Sequence, residues 1–464
     1  MVSASMMALS AAVLVSLYTA HEWPMTIAFA AFAVFVVTGR PLYGRREKFL
    51  LTFSVGLTIA VYIWVSNANQ LVFSAFERAA FLAAFMILLA LLREGAVTSP
   101  AVLEVGSYLT RQPPSRRYLS IHLGGHLLAI ILNFGALNLL GPLIMRGIAA
   151  STPDPQVAAI RQERQISALL RGFSWMVAWS PTAITQALVF AIVPGVDPVR
   201  MVIIGLLLVT LTTGAGWALD WHTGRKARRV ISATARPQFT AGEPFPARAF
   251  RDFATVCTCL AGATIAVILA LGVSTIPALM LVAPIVTGLW IVKQNAGRTD
   301  WASSVVARMK DVAGQSMPRG SPEAVTLACA GYCGICAAGL VDPQWFADRF
   351  GLAEWHELQI YAAAMLLPAL LSNIGLPPLM VITFLGTLLS ALPGLDYDPT
   401  LLAMAFCVGW ALNLTGSPFG VTTIILARIT AIPGRTLAWR WNGWFSLATL
   451  AIATIVLVVF SQIR

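Results

Sequence analysis

Eleven stretches of this chain are apolar over about the 20 residues that a helix needs to cross the hydrocarbon core of a bilayer. They fall at roughly 4–20, 24–39, 49–66, 78–93, 171–194, 199–219, 253–272, 275–293, 322–341, 399–427 and 441–462. Such a chain has to satisfy its backbone within its own spans, because lipid offers no hydrogen-bond partners. Composition agrees with that constraint. Of the 464 residues 58% are hydrophobic and 11% charged, against about 45–50% and 25% in soluble domains. A soluble protein could not hide so much apolar surface. A soluble enzyme, a nucleic-acid-binding module and a disordered scaffold are excluded, and the expected partner is the lipid bilayer. The net charge of +11 then reads as Lys- and Arg-rich cytoplasmic loops. Six Cys form no disulfide framework. The first Lys or Arg is Arg40, so the start lacks the charged n-region of a signal peptide, and residues 1–23 are read as a retained span.

Two further apolar regions fit poorly as simple spans. Residues 119–147 are interrupted by Asn133, Gly135, Asn138, Gly141 and Pro142, and residues 357–393 by Pro368, Ser372, Asn373, Gly375, Pro377 and Pro378. Charge decides how they sit. Arg111, Arg116 and Arg117 precede the first region; Arg146, Arg161, Arg164 and Arg171 follow it. A single crossing would put those basic flanks on opposite sides, whereas a re-entrant hairpin keeps both cytoplasmic. The second region has acidic flanks, with Asp342, Asp348, Glu354 and Glu357 before it and Asp396 and Asp398 after it. It reads as a hairpin open to the other side. The expected fold is therefore an all-α polytopic membrane protein with about eleven transmembrane helices and two opposed re-entrant hairpins. The order of elements repeats. Residues 24–219 read as one repeat, with its hairpin at 119–147 and a broken helix at 171–194. Residues 253–464 read as a second, inverted repeat, with its hairpin at 357–393 and a broken helix at 399–427. A basic cytoplasmic linker, 220–252, joins them.

Two pairs of motifs support the repeat. Leu132-Asn133-Phe134-Gly135 and Ser372-Asn373-Ile374-Gly375 each put an Asn two residues before a Gly inside an apolar run. Trp179-Ser180-Pro181-Thr182-Ala183 and Thr415-Gly416-Ser417-Pro418-Phe419-Gly420 each place Ser-Pro inside a long apolar segment. Pro removes a backbone donor and clashes with the preceding turn. Matching breaks in two halves are a pointer to a substrate site in secondary transporters.

At these residues the chain resembles the ion transporter superfamily, and within it the divalent anion/sodium symporters that carry dicarboxylates. The likeness runs from about residue 45 to the C-terminus. That family carries Ser-Asn-Thr at each hairpin tip; here the second tip keeps Ser372-Asn373 with Ile374 in the Thr place, and the first keeps Asn133 between Leu132 and Phe134. The resemblance implies an elevator mechanism, with hairpins and broken helices sliding against a static scaffold, and a homodimer.

The site residues follow from donor and acceptor chemistry. Half-helices that begin at the breaks and tips point N-termini at the midplane, where free N–H groups favour an anion. Asn133, Ser180, Thr182, Ser372, Asn373, Ser417 and Thr422 could bind a small anion such as a carboxylate. No Arg or Lys is expected deep in a span, so the donors would be neutral. Asn138, Asn413 and Thr415 offer oxygens to a coupling sodium ion. His126, with His122 four residues earlier on the same helix face, is the candidate for a proton. The competing readings are that Ser and Thr bond to their own helix carbonyls and that His126 bonds a neighbouring helix. Cys329, Cys333 and Cys336 share one helix face among small residues, which reads as packing, and no metal site or cofactor is expected. No Walker loop, His-Glu-x-x-His or partnered Ser is present, so an enzyme is not expected. The function expected is secondary transport of a small anion, driven by sodium or protons. The alternatives are a proton-driven exporter or antiporter and a flippase for a lipid-linked substrate. The cytoplasmic basic loops suit a bacterial inner membrane.

Overall fold

The computed structural model describes residues 1–19, 21–151, 154–234, 244–297, 299–392 and 395–463. Part of the expected linker, residues 235–243 with Arg236, lies outside the described residues, as do Arg298, Arg464 and the last residue of the expected second hairpin.

The described residues are helical and contain no strand. The first half runs α1 (Val2–Tyr18), α2 (Trp23–Gly39), α3 (Arg45–Trp64), α4 (Ala68–Val97), α5 (Pro100–Thr110), α6 (Pro114–Leu132), α7 (Gly135–Ser151), α8 (Pro155–Ser174), α9 (Ile184–Ile192) and α10 (Pro198–Thr234). The second half runs α11 (Ala247–Leu271), α12 (Thr275–Asn295), α13 (Trp301–Asp311), a single turn α14 (Met317–Arg319), α15 (Ser321–Gly339), α16 (Pro343–Phe350), α17 (Glu357–Leu371), α18 (Pro378–Ser390), α19 (Pro399–Gly416), α20 (Val421–Thr430) and α21 (Gly443–Ser461). The chain is an all-α polytopic membrane protein. Among the described residues, 9 helical segments are long and apolar enough to span a membrane, or 10 if α15 and α16, bent by 78°, form one. That is fewer than the eleven runs read from sequence. The first run falls on α1, a helix of only 17 residues, Val2–Tyr18. The run 171–194 is divided, because α8 starts well before it, at Pro155, and ends inside it.

Asp-Pro pairs set several of the starts. Asp154, Asp197, Asp342 and Asp398 each accept two backbone N–H bonds from the first turn of the helix they precede. The Pro that follows each of them has the φ a helix needs and lacks a donor that would be unpaired there anyway.

The helices pack in two groups. In one, α1 to α4 lie with α11, α12 and α15; α4 and α15 are its central pair. Glycines bring that pair close: a Cβ on Gly331 would sit 2.5 Å from Leu82, and one on Gly339 2.2 Å from Leu71. Such small residues replace a hydrophobic driving force between helices in lipid. Cys329, Cys333 and Cys336 are buried on α15, with the Cys333 thiol 3.1 Å from the Ser54 hydroxyl of α3. In the other group α6 packs on α8, α17 on α19, and α21 on both α10 and α19. Where the groups meet, α15 touches α18, and α4 touches α6, α7 and α9.

Candidate functional site

Both Ser-Pro segments interrupt a helix. After α8 a tight turn, Trp175–Ala178, leads into a non-helical strap that ends where α9 begins. The carbonyls freed by the break are not left bare. The buried Gln186 amide donates to the carbonyls of Val177 (3.2 Å) and Ala178 (3.0 Å). The Ser180 and Thr182 hydroxyls lie 2.7 Å apart, both buried. At the second break, Thr422 donates to the carbonyl of Leu414 at 2.6 Å. Ser417 reaches across to the other motif and donates to the carbonyl of Ser372 at 2.9 Å. The second break is thus tied directly to the second hairpin tip.

The two tips differ in a way that the paired Asn-x-Gly pattern concealed. At the first, Asn133 itself takes the positive φ, at 49°. Its N–H donates to Ala129 and its carbonyl accepts from Ala136; with ψ at −131° the residue lies outside the left-handed helical region, in a conformation that Gly adopts most readily. At the second, the positive φ of 93° falls on Gly375. Asn373 is ordinary backbone there, and its amide is committed: it donates to the Ala369 carbonyl at 2.8 Å and accepts from the Trp439 indole at 3.0 Å. Among the described residues the Asn133 amide has no such partner. Asn133→Gly should therefore keep the turn and the folded protein. If its solute affinity falls relative to wild type, the amide itself binds; if affinity is unchanged, Asn133 serves only the backbone. Asn133→Ala should cost about 1–3 kcal/mol of strain, measurable as a lower melting temperature.

Between the two packing groups lies a cavity enclosing about 830 Å³ of empty space, its solvent-filled mouth included. Asn413, Trp410, Phe419 and Gly420 line it from the second break, Pro377 and Pro378 from the second tip, and Phe134 from the first. Met86, Phe134, Ile184 and Glu323 also border a smaller recess, which adds Asn133, Thr182 and Arg93. Phe134 is fixed there by Phe173 of α8, with ring centroids 5.4 Å apart. So Asn133, Thr182 and Asn413 reach this space. Asn413 is buried, and its amide is unbonded among the described residues. Ser180, Ser372, Ser417, Thr415 and Thr422 lie buried with hydroxyls bonded to protein. Asn138 is exposed and donates to the Phe134 carbonyl of its own turn.

The charged groups on this wall escaped sequence reasoning. Arg46, Glu47 and Glu323 line the cavity, and Arg93 the recess. The Arg93 guanidinium is 3.8 Å from Glu323 and 3.7 Å from Glu94, too far for hydrogen bonds, and Glu323 Oε2 is buried with no hydrogen-bond partner. The sequence reading named neutral donors alone; Arg93 stood at the edge of an apolar run, and α4 carries on past it to Val97, which brings its guanidinium to the recess. Arg171 is also no loop residue. It is buried in α8, donating to the Asn442 side chain (2.8 Å) and the Trp441 carbonyl (3.0 Å).

His126 is held at both ring nitrogens. The Trp179 indole donates to Nε2 at 2.9 Å, which leaves the proton on Nδ1 to donate to the Gly172 carbonyl at 2.9 Å. The imidazole is a neutral tie between α6 and the first break. His126→Ala should cost about 2 kcal/mol, for two hydrogen bonds, seen as a lower melting temperature. The response of transport to an imposed pH gradient should be unchanged; its loss in a folded variant would make His126 a proton carrier. Among the described residues no three His, Cys, Asp or Glu side chains gather as metal ligands.

No family model and no curated protein sequence matches the chain. Solved structures do. The YdaH transporter of Alcanivorax borkumensis aligns over 90% of this chain and 99% of its own, with a TM-score of 0.55 at 15% identity. Neisseria gonorrhoeae MtrF, described as one of a class of antimetabolite efflux pumps, aligns over 91% of this chain and 97% of its own, with a TM-score of 0.51 at 11% identity. The chain has the fold of these membrane transporters over nearly its whole length.

Proposed function

We propose that the protein is a secondary transporter that moves a small anionic solute across the membrane. The observation that supports this best is the cavity lined by both broken helices and both tips, with Arg93 on the recess that adjoins it. Arg93 is paired loosely enough with Glu323 that an incoming anion could take up its donors. The apolar lining from Met86, Ile184, Leu327, Trp410 and Phe419 suits a solute with an apolar body and one charged group better than a compact dicarboxylate. In this reading residues 24–219 and 253–464 are inverted repeats. The group containing α6–α10 and α17–α21 moves as an elevator against the group around α4 and α15, in a homodimer of a bacterial inner membrane. Asn413 and neighbouring carbonyls are the candidate sodium ligands. A second reading, proton-driven export, draws on the efflux description of MtrF and on the unpartnered oxygen of Glu323.

Counterflow uptake into proteoliposomes, against a panel of carboxylates and aromatic acids with sodium and pH gradients varied separately, tests the reading. Accumulation of at least one anion, dependent on one gradient, is the expected result; no accumulation of any anion under either gradient refutes it. Cysteine labelling tests the repeat. Cysteines at Arg116 and Gln156 should resist an impermeant external thiol reagent, and one at Gln344 should react. Labelling of the Gln156 site from outside would make α6 and α7 a simple crossing.

A further inference from the structure

Three carboxylates lie on the wall of the cavity or against Arg93, and two of them are engaged by protein donors. Glu47 of α3 accepts from the Gly44 backbone N–H at 2.8 Å and from the Thr326 hydroxyl at 3.4 Å. Glu94 of α4 accepts from the Arg308 guanidinium at 3.2 Å. Glu323 differs. It stands in the first turn of α15, where no side-chain cap bond forms, so the carboxylate is not spent on its own helix. Its buried Oε2 accepts from nothing among the described residues. Arg93 lies 3.8 Å away, beyond hydrogen-bond reach. A buried oxygen without a donor is costly, and what satisfies it has to bring one.

The two members of this loose pair lack opposite things: Arg93 an acceptor, Glu323 a donor. A solute with only a carboxylate answers Arg93 and sets a second negative charge beside Oε2, which is unfavourable at short range. A carboxylate and an ammonium carried on one carbon answer both, because they lie as close together as the groups they meet. The four charges then alternate in sign around a small ring. The lining agrees with such a head. Two guanidiniums, Arg46 and Arg93, face two carboxylates, Glu47 and Glu323, a balance that suits a carboxylate with its own countercharge. Glu323 borders both the cavity and the recess. A head held between Arg93 and Glu323 leaves an apolar side chain to Leu327 and Trp410 in the cavity.

Given the proposed function, in which Arg93 takes the carboxylate of the solute, we propose that the solute is a free α-amino acid with an apolar side chain, whose ammonium meets Glu323. Counterflow in proteoliposomes of the full-length protein tests it. The probes are L-phenylalanine and L-leucine beside their deaminated counterparts, phenylpropionate and isocaproate, with affinities read as inhibition of counterflow. Each pair shares its carboxylate and apolar body and differs in the ammonium. At least one amino acid should accumulate and bind about tenfold or more tightly than its counterpart. In E323Q that amino acid should weaken about 30-fold, the loss of one hydrogen bond to a charged group, while affinity for its counterpart holds or rises. Equal or tighter binding of both deaminated acids by the wild type overturns the amino acid as solute, whether or not E323Q folds, and leaves the proposed function standing. So does accumulation of another anion of the panel with neither amino acid. Unchanged affinity for the amino acid in folded E323Q, or an equal loss for both members of its pair, overturns Glu323 as the partner of the ammonium. Accumulation of no solute at all refutes the proposed function and the amino acid together.

Discussion

Arg93→Gln is expected to weaken anion affinity by roughly ten- to a hundredfold while leaving the protein folded. The estimate comes from the loss of one hydrogen bond to a charged group, about 1.5–3 kcal/mol. The guanidinium borders the recess that also holds Asn133 and Thr182, and its stem lies beside the first tip, since a Cβ on Gly135 would sit 3.0 Å from Arg93 Cδ. The carboxylates near it are too distant to be good hydrogen-bond partners, so removing the guanidinium breaks no strong internal bond. Arg93→Lys keeps the charge and loses the fork, and should fall between the two. The check is the concentration dependence of counterflow in the same proteoliposomes, beside melting temperatures of the purified variants. A stable Arg93→Gln variant with wild-type affinity would move the anion away from α4 and withdraw the main support for the proposed function.

Gly172→Ala should have the largest effect on stability. A Cβ there would lie 2.1 Å from the carbonyl oxygen of His122 and 2.9 Å from its Cα. Those are backbone atoms and cannot rotate aside, so α6 and α8 would have to separate. Overpacking costs about 1–3 kcal/mol and sometimes more; with two backbones in contact the upper end is expected. The separation would also stretch the bond from His126 to the Gly172 carbonyl. Melting temperature and yield of the purified variant measure the outcome. Gly214→Ala, with nothing within 4 Å of the new methyl, is the control and should raise helix stability by about 0.5–1 kcal/mol. Equal melting temperatures for the two variants would mean that the α6–α8 contact is looser than described.

How much of this was legible in the sequence depended on the range of the physics involved. Ser180-Pro181 and Ser417-Pro418 announced the breaks because Pro acts on its own turn. Asn133 and Gly375 marked the tips because a positive φ is a local requirement. The charged groups that line the cavity and its recess were not legible. Arg93 and Glu323 lie on α4 and α15, far apart in sequence, and only the packing of those helices brings them together. Nor could the sequence tell that Trp439 occupies the Asn373 amide, or that Gln186 satisfies the carbonyls of the first break. The apolar runs around Arg171 likewise gave no sign that its charge is buried against Asn442.

The second broken helix constrains how the protein is made. Every residue of α19 from Thr400 to Thr415 is buried, so this segment has no face for lipid. Its 18-residue apolar window also has a mean hydropathy of only 1.4, against 2.2 for that of α21. The Ser417 hydroxyl finds its acceptor on another element, the Ser372 carbonyl, and such a group would be costly in hydrocarbon without it. The ribosome delivers α19 after α8, α9, α10 and α17, against which it packs, and before α21, which packs on it as well. Its buried position therefore forms by docking between helices made before it and a helix made after it.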